Sequence, residues 1–509
     1  MVNTDTTGES PLRSIWSEPL RRVTLANLTL VALVAFDGLA VIAALPSIAA
    51  DLGQVSLLPW TITGYIGASA VAIIIAGPVI DTFGTRYTFR AAGGWFLLTS
   101  AGVALAPTMP WLLLARGAQG LGGGLVMAVT LAATGLVYPE HLRPRAFGAN
   151  SSVWAVMAVA GPALAATLLT AGGWRVIFYL QLPLAALALV MAWRSLPTAS
   201  THSSPLAYDI RGIVILTVLA FASPLALSAL TVSRTRALAL ALVTVLAIGV
   251  YWWHSGRVVH AVLNREHLTR LPLRWIHATS ALVMAAGLAA DNYLPFYLEV
   301  TRGQSRGFAA FSVLFLSVGW TAAALAYGQL SDRVSEIQML GVGATTISPS
   351  LLAVTAAVFF GAPLPLVFAA VFAVGFSIGS VSTPGLTLLQ RFSADHEMGR
   401  VNAAHQFLRM MASTYGIALA GTVLLLVVQH QLGDAEVVRS VLAGESTTAV
   451  GQQAADAIRD GIAATAGAAA VLGVLCFGAA ILLRRNIHLL DGKPPRPKAS
   501  HSPLADDEG

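Results

Sequence analysis

Four charged residues fall well inside long apolar runs, away from their ends, where charge is expensive: Asp37, Arg116, Asp291 and Arg409. Asp37 stands about 14 residues into the first run, roughly 21 Å from its start at 1.5 Å per residue, near mid-membrane. A carboxyl group at that depth changes the charge of a low-dielectric interior by one unit each time it exchanges a proton. Two roles are open to it: proton coupling or cation sensing, or a standing ion pair with an intramembrane arginine. Arg116 begins the fourth run, roughly 8 Å in, and Arg409 lies in the thirteenth. A guanidinium keeps its charge when buried, so each needs a carboxylate, carbonyls or water nearby. Pairing with Asp37 lets protonation make and break an ion pair, a conformational trigger. The sequence leaves open which arginine forms it. Asp291, within AADNYLPFYLEV of the ninth run, is a second protonation site, a contact for a cationic substrate, or a polar group in an external vestibule. Glu299 sits nearer the boundary and reads as solvated. His405, one turn before Arg409, relays protons or packs as a hydrogen-bonded core histidine.

Trp154 and Trp320 fall deep within their runs, whereas Trp60, Trp111, Trp174, Trp193, Trp252, Trp253 and Trp275 lie near run ends, as interfacial belts require. With Tyr293 and Phe296, the two deep tryptophans either line a greasy cavity that stacks on aromatic cations or serve ordinary helix packing. Gly120, Gly122, Gly123 and Gly124 allow close helix contact; with no strand before them they form no dinucleotide fingerprint. Cys476, the one cysteine, lies in an apolar run and reads as a small buried hydrophobe, which excludes an intrachain disulfide and a cysteine metal site.

The elements that hold these residues follow from composition. Of 509 residues, 56% are hydrophobic and only 11% charged. Soluble domains carry about 25% charged residues, so this chain cannot clothe a water-facing surface. A span needs about 20 apolar residues, and in lipid the backbone must satisfy itself, which makes the runs helices. The runs lie near 23–50, 57–81, 89–106, 110–137, 146–171, 174–194, 211–231, 234–253, 273–299, 307–330, 337–360, 363–389, 400–429 and 458–484. Fourteen spans with both termini cytoplasmic place arginine and lysine inside over outside in a ratio of about three to one, the expected bias. Apart from Arg116 and Arg409 the basic residues lie between runs or at their ends, so the net charge of +6 reflects topology rather than nucleic-acid binding. The first run is too long for a signal-peptide core and is read as a retained span. The external segment of about 430–457 and the tail of 485–509 are too short and polar for a catalytic domain, and no G-x-x-x-x-G-K-[ST] loop is present. An enzyme or a self-contained ATP-driven pump is thereby excluded, and no cofactor is expected.

An internal repeat organises the spans. The second run ends in GPVIDTFGTRYTFR and the tenth in GQLSDRVS, each with Gly-x-x-x-Asp: Gly77/Asp81, followed by Gly84 and Arg86, and Gly328/Asp332, followed by Arg333. Glycine lets two helix ends approach, and the aspartate then pairs with an arginine or caps a neighbouring helix N-terminus. The copies are eight spans apart, so two helices separate two six-helix halves: 23–194, an inserted pair and linker in 195–272, and 273–484. Such repeats belong to transporters whose halves rock around a central site.

At these residues the chain resembles the major facilitator superfamily, specifically its fourteen-helix drug:proton antiporter branch. FDGLAVIAALPSI is similar to D-x-T-x-x-N-x-A-L-P-x-I, matching at Asp37, Ala44, Leu45, Pro46 and Ile48 and departing at Leu39 and Ile42. LLLARGAQGLGGG resembles R-x-x-Q-G-x-G at Arg116, Gln119, Gly120 and Gly122. GWRVIFYLQLP matches at Trp174, Arg175, Phe178 and Pro183, with Gln181 replacing the usual Asn. The fifth-span motif G-P-x-x-G-G survives only as Gly161–Pro162, with Ala165 and Ala166 in place of glycines, and Thr82 and Thr85 replace basic residues after the second span. LPFYLEVTRGQS and FLRMMASTYGIALAGT also read like family segments. The resemblance implies an all-α, multi-pass bundle in a bacterial inner membrane, in which Arg116 tunes proton transfer. It implies proton-coupled export of hydrophobic or cationic small molecules, with the lipid bilayer and protons as partners. A symporter or lipid exporter on the same fold, and a non-transporting sensor or scaffold, are the rival expectations.

Overall fold

The computed structural model describes residues 14–18, 20–54, 57–193, 196, 209–230, 233–258, 261–271, 273–394, 397–432 and 452–487. The loop within 430–457 and the tail therefore fall largely outside the described residues, as does most of the N-terminal segment.

Every regular element among the described residues is helical: α1 (Leu20–Leu52), α2 (Leu58–Ala104), α3 (Met109–Val137), α4 (Arg143–Gly172), α5 (Trp174–Ala192), α6 (Ile210–Ala229), α7 (Arg234–Ser255), a short α8 (Arg265–Thr269), α9 (Leu273–Asp291), short α10 (Leu294–Phe296) and α11 (Arg306–Phe311), α12 (Val313–Leu330), α13 (Glu336–Phe359), α14 (Leu364–Arg391), α15 (Met398–Leu432) and α16 (Gln452–Asn486). Local chemistry sets several ends. Ser335 and Gln338 form a reciprocal capping box at the start of α13. Gly173, at φ 77°, turns the chain between α4 and α5 where a side chain would be strained.

Twelve of the helices are long and apolar enough to cross a membrane, thirteen with α4, which is bent by 47° between Glu140–Gly161 and Ala163–Gly172. Pro162 stands at that bend, where a missing N–H breaks the helical ladder. One of the twelve, the stretch Trp60–Ala104, is 45 residues long. At 1.5 Å per residue that is about 68 Å, twice a bilayer core. It is broken at Gly84, whose φ of 75° and ψ of 170° are not helical. The sequence places a loop after residue 81; the chain instead stays helical up to this single glycine. The ninth run also differs, since α9 stops at Asp291 and the chain resumes as α10 and a π-helical turn over Tyr297–Thr301.

Helices α1–α5 form one half, with cores around Leu30, Phe89 and Phe96 and around Phe36, Met109 and Phe178. Helices α9–α16 form the other, around Tyr297, Ile347 and Leu424. The halves meet where α4 packs on α12 and α15 on α2, and α6 bridges α2 and α15. There Ile73, Ile74, Leu216, Phe407 and Met411 share one cluster.

Candidate functional site

The glycines of α3 set the site. A Cβ at Gly120 would lie 2.3 Å from the carbonyl oxygen of Tyr65, and one at Gly124 2.3 Å from that of Ser69. At Gly122 it would lie 3.0 Å from Cα of Phe96. Bare backbone thus lets α3 press against both legs of α2, on either side of the Gly84 break. That contact carries Arg116 and Gln119 into the middle of the first half.

There Nη1 of Arg116 donates to Oδ2 of Asp37 at 2.7 Å and to Oε1 of Gln119 at 2.7 Å. Oδ1 of Asp37 accepts from Nε2 of Gln181 at 3.1 Å and Nε2 of Gln119 at 3.3 Å. Ser100 closes the knot, accepting from Gln119 at 2.8 Å and donating to Gln181 at 3.1 Å. Nε of Arg116 reaches the carbonyl of Thr61 at 3.4 Å, and its guanidinium lies 4.3 Å from the Tyr65 ring. Four helices, α1, α2, α3 and α5, thus supply one ion pair held in a hydrogen-bond network, with Asp37 0% and Arg116 1% exposed. Satisfying every lone pair is what makes a buried charge pair tolerable.

Asp37 is sealed, but its chain neighbours are not. Phe36 lines an apolar cavity of about 750 Å³ formed with Leu33, Val153, Val156, Leu184 and Leu325, and with Arg145 and Gln329. Gly38, on the other side, is exposed and faces open space. Gly161 of α4 faces Leu39 of α1: a Cβ added there would lie 3.4 Å from Cδ1 of Leu39. Trp154 is 42% exposed and does not line the cavity, although Val153 and Met157 do.

The two copies of Gly-x-x-x-Asp make related contacts across the halves. Asp81 accepts from the backbone N–H of Gly399 at 2.7 Å and of Arg400 at 3.2 Å, with Nε of Arg400 at 3.8 Å. It thereby caps the N-terminus of α15, and a Cβ at Gly77 would lie 2.9 Å from Cα of Arg400. Asp332 pairs with Arg145 at 3.2 Å, and Gly328 abuts Pro144 and Arg145 at the start of α4. Both latches join the halves at one end of the bundle, here the Asp81 end. Arg86 donates to the carbonyl of Leu196, and Arg333 is exposed. At the opposite end Asp51 accepts from Arg175 and from the Trp174 indole, tying α1 to α5.

In the second half, Arg409 meets no carboxylate among the described residues: it donates to Gln406 at 3.3 Å and contacts Sδ of Met284 at 3.6 Å, 6.0 Å from the Trp320 ring. His405 and His277, both buried, share an Nδ1–Nδ1 hydrogen bond of 2.9 Å. Asp291 is 6% exposed with Oδ1 unpartnered. Tyr293 and Phe296 pack half-buried against the second core, Tyr293 with its hydroxyl toward Gly421. Sequence reasoning missed Ser100, a lone serine in an apolar run, and saw Arg145 and Arg400 only as topology charges. Gln119 and Gln181 were visible as motif positions without a role.

A sequence profile of the Major Facilitator Superfamily matches residues 28–417. The chain belongs to this superfamily. The transporter is 31% identical over 279 residues to the uncharacterized transporter YebQ of Escherichia coli, a match covering 54% of this chain and 61% of that relative. It is 24% identical over 396 residues to the multidrug transporter MdtP of Bacillus subtilis, covering 77% of this chain and 72% of MdtP. With a probable multidrug-efflux transporter of Mycobacterium tuberculosis it shares 29% over 431 residues, covering 80% and 89%. In fold it matches the human organic anion transporter MFSD10 with a TM-score of 0.63 at 15% identity, covering 91% of this chain and all of that one. A bacterial ferroportin homologue in an outward-facing state follows with 0.60 at 12%. The protein is a multi-pass membrane transporter of this superfamily, and its relatives and structural neighbours are transporters rather than enzymes.

Proposed function

We propose that this transporter is a proton-coupled antiporter of the bacterial inner membrane that exports hydrophobic or cationic small molecules. The observation that carries the reading is the sealed Asp37–Arg116 pair, one residue from the wall of an apolar cavity. Counting the two legs of α2 as separate crossings and α4 as one gives fourteen spans, arranged six, two and six. The arginine bias then makes the Asp81 end cytoplasmic. Both latches are engaged there, so the conformation described is closed to the cytoplasm.

In this account a proton arriving from outside neutralises Asp37 and dissolves its attraction for Arg116. The guanidinium is not stranded, because Gln119 Oε1, the Thr61 carbonyl and the Tyr65 ring remain around it. Loss of the pair loosens α1 from α3 and α5, and the cavity wall carried by Phe36 moves with α1. The latches at Asp81 and Asp332 then release and the cavity opens inward. Substrate entry and proton loss restore the pair and return the halves. Each ligand shifts the equilibrium only by its differential affinity for the two states. Asp291 is a second carboxyl available for a proton or a cation.

The replacement of two motif glycines by Ala165 and Ala166, together with the apolar cavity, favours a second reading as a symporter or lipid exporter on the same fold. Purified protein in liposomes with an acid lumen and an internal pH dye separates them, using a panel of dyes and lipids as added solutes. Antiport predicts that an added substrate alkalinises the lumen. A substrate-dependent signal of the opposite sign supports symport. No substrate-dependent proton flux with any solute would leave a sensor or scaffold.

A further inference from the structure

Arg409 is a full positive charge held 93% buried, since only 7% of the residue is exposed. A guanidinium has five N–H donors. Here two contacts engage them, the Gln406 side-chain oxygen at 3.3 Å and the weakly accepting sulfur of Met284 at 3.6 Å, and Nε has no partner. Such a charge is costly unless something anionic completes it.

The surrounding elements offer nothing suitable among the described residues. On α2, Asp81 is committed to Gly399 and Arg400. Asp209, at the start of α6, caps Gly212 and pairs with His254. On α16, Asp456 and Asp460 hold Arg459. Helices α3 and α14 carry no acid. On α9, Asp291 lies seven residues beyond Met284, roughly 10 Å further along the axis at 1.5 Å per residue. The remaining titratable neighbours, His277 and His405, pair with each other and supply no negative charge. Asp37, the one deep carboxylate of the other half, already belongs to Arg116.

Access is present. Gln406 and Trp320, the side chains nearest the guanidinium on its Nη1 side and at its ring contact, are half-buried rather than sealed. The Trp320 ring, 6.0 Å away, offers an apolar face beside the charge.

We propose that Arg409 is an anion-binding subsite that takes the carboxylate of the transported amphipath, with Trp320 against its apolar part. This rests on the export reading but replaces the cationic part of its substrate class with amphipathic acids, against the amines that Asp291 would attract.

The test uses three matched probes in proteoliposomes under a proton gradient: dansylaminoundecanoic acid, its primary amide and the corresponding amine. The acid is expected to be moved best by wild type. Arg409→Gln should weaken apparent affinity for the acid about ten- to hundredfold, the range for losing a charged hydrogen bond, while leaving the amide unchanged. Arg409→Met removes an unpaired buried charge and should fold at least as well. It should give the same selective loss. The acid, and not the amide, should raise the thermal midpoint of wild type. Equal losses for acid and amide in both variants would show a structural arginine and overturn the proposal, as would a wild-type preference for the amine. An acid preference that vanishes when phosphatidylglycerol is added to phosphatidylcholine liposomes would assign the site to a lipid headgroup and overturn the solute assignment. A wild type that moves the amide and amine as well as the acid defeats only the anion subsite. One that moves none of the three defeats the export reading with it.

Discussion

Nη1 of Arg116 lies 2.7 Å from Oδ2 of Asp37, with the two side chains 2% and 0% exposed. The pair links α3 to α1 through groups that water does not reach, so its charge balance and its stability are inseparable. Removing Arg116 leaves the Asp37 carboxylate buried without a countercharge, at a cost of about 3–5 kcal/mol. Arg116→Ala is therefore expected to lower the thermal midpoint in detergent strongly. The double variant Asp37→Asn/Arg116→Gln should recover most of that loss, because both charges leave together. A midpoint for the double variant no higher than for Arg116→Ala would contradict the pair as the source of the cost.

The two latches at the Asp81 end differ in strength. Asp81 is buried and receives two backbone N–H groups, whereas the side chain of Asp332 is 65% exposed in its pair with Arg145. Exposed pairs contribute about 0–1 kcal/mol and capping interactions about 0.5–2 kcal/mol. Asp81→Asn should thus shift the equilibrium toward opening at this end more than Asp332→Asn does. Spin-label distances across the α2–α15 and α4–α12 seams measure both; equal shifts would contradict the asymmetry.

The α3 glycines predict a positional contrast. A Cβ at Gly120 or Gly124 collides with backbone, while one at Gly117 meets nothing within 4 Å. Gly120→Ala and Gly124→Ala should each destabilise by about 1–3 kcal/mol, as overpacking does. Gly117→Ala should be neutral or stabilising by up to about 1 kcal/mol. Thermal midpoints of the three variants check this directly.

Asp51 lies beyond Leu20–Val41, the stretch of α1 that is long and apolar enough to cross a membrane. Hydrogen bonds from Arg175 and then Trp174 hold its carboxyl below the usual carboxylate range. A lowered value in the folded state means that the clasp stabilises above the ordinary carboxylate pKa of about 3.9 and fades as pH falls through the lower one. The midpoint difference between wild type and Asp51→Asn should be steady at neutral pH and shrink on acidification below about pH 4. A difference that grows with acid would reverse the sign of the argument.

Much of the fold was legible because lipid leaves the backbone little choice. The apolar runs became helices, and the two Gly-x-x-x-Asp copies marked a repeat before any contact was known. Asp37 and Arg116 stood out for the same reason: each is a charge where charge is costly. Their pairing was not legible, since 79 residues separate them and they meet only through the tertiary packing of α1, α2, α3 and α5. Arg409 looked equivalent in sequence and lies in the other half with no carboxylate partner among the described residues. Arg145 and Arg400 read as loop charges because their partners belong to the opposite half. The continuity of α2 was hidden by the polar residues 82–88, which the chain carries in helical form up to and beyond Gly84.

Proton-gradient-driven export by Asp37→Asn protein in proteoliposomes tests the central claim most directly. The variant is expected to leave solute movement insensitive to an imposed pH gradient, while wild type accelerates with it. Asp37→Asn protein that exports at the wild-type rate under the same gradient would contradict a coupling role for this carboxyl group.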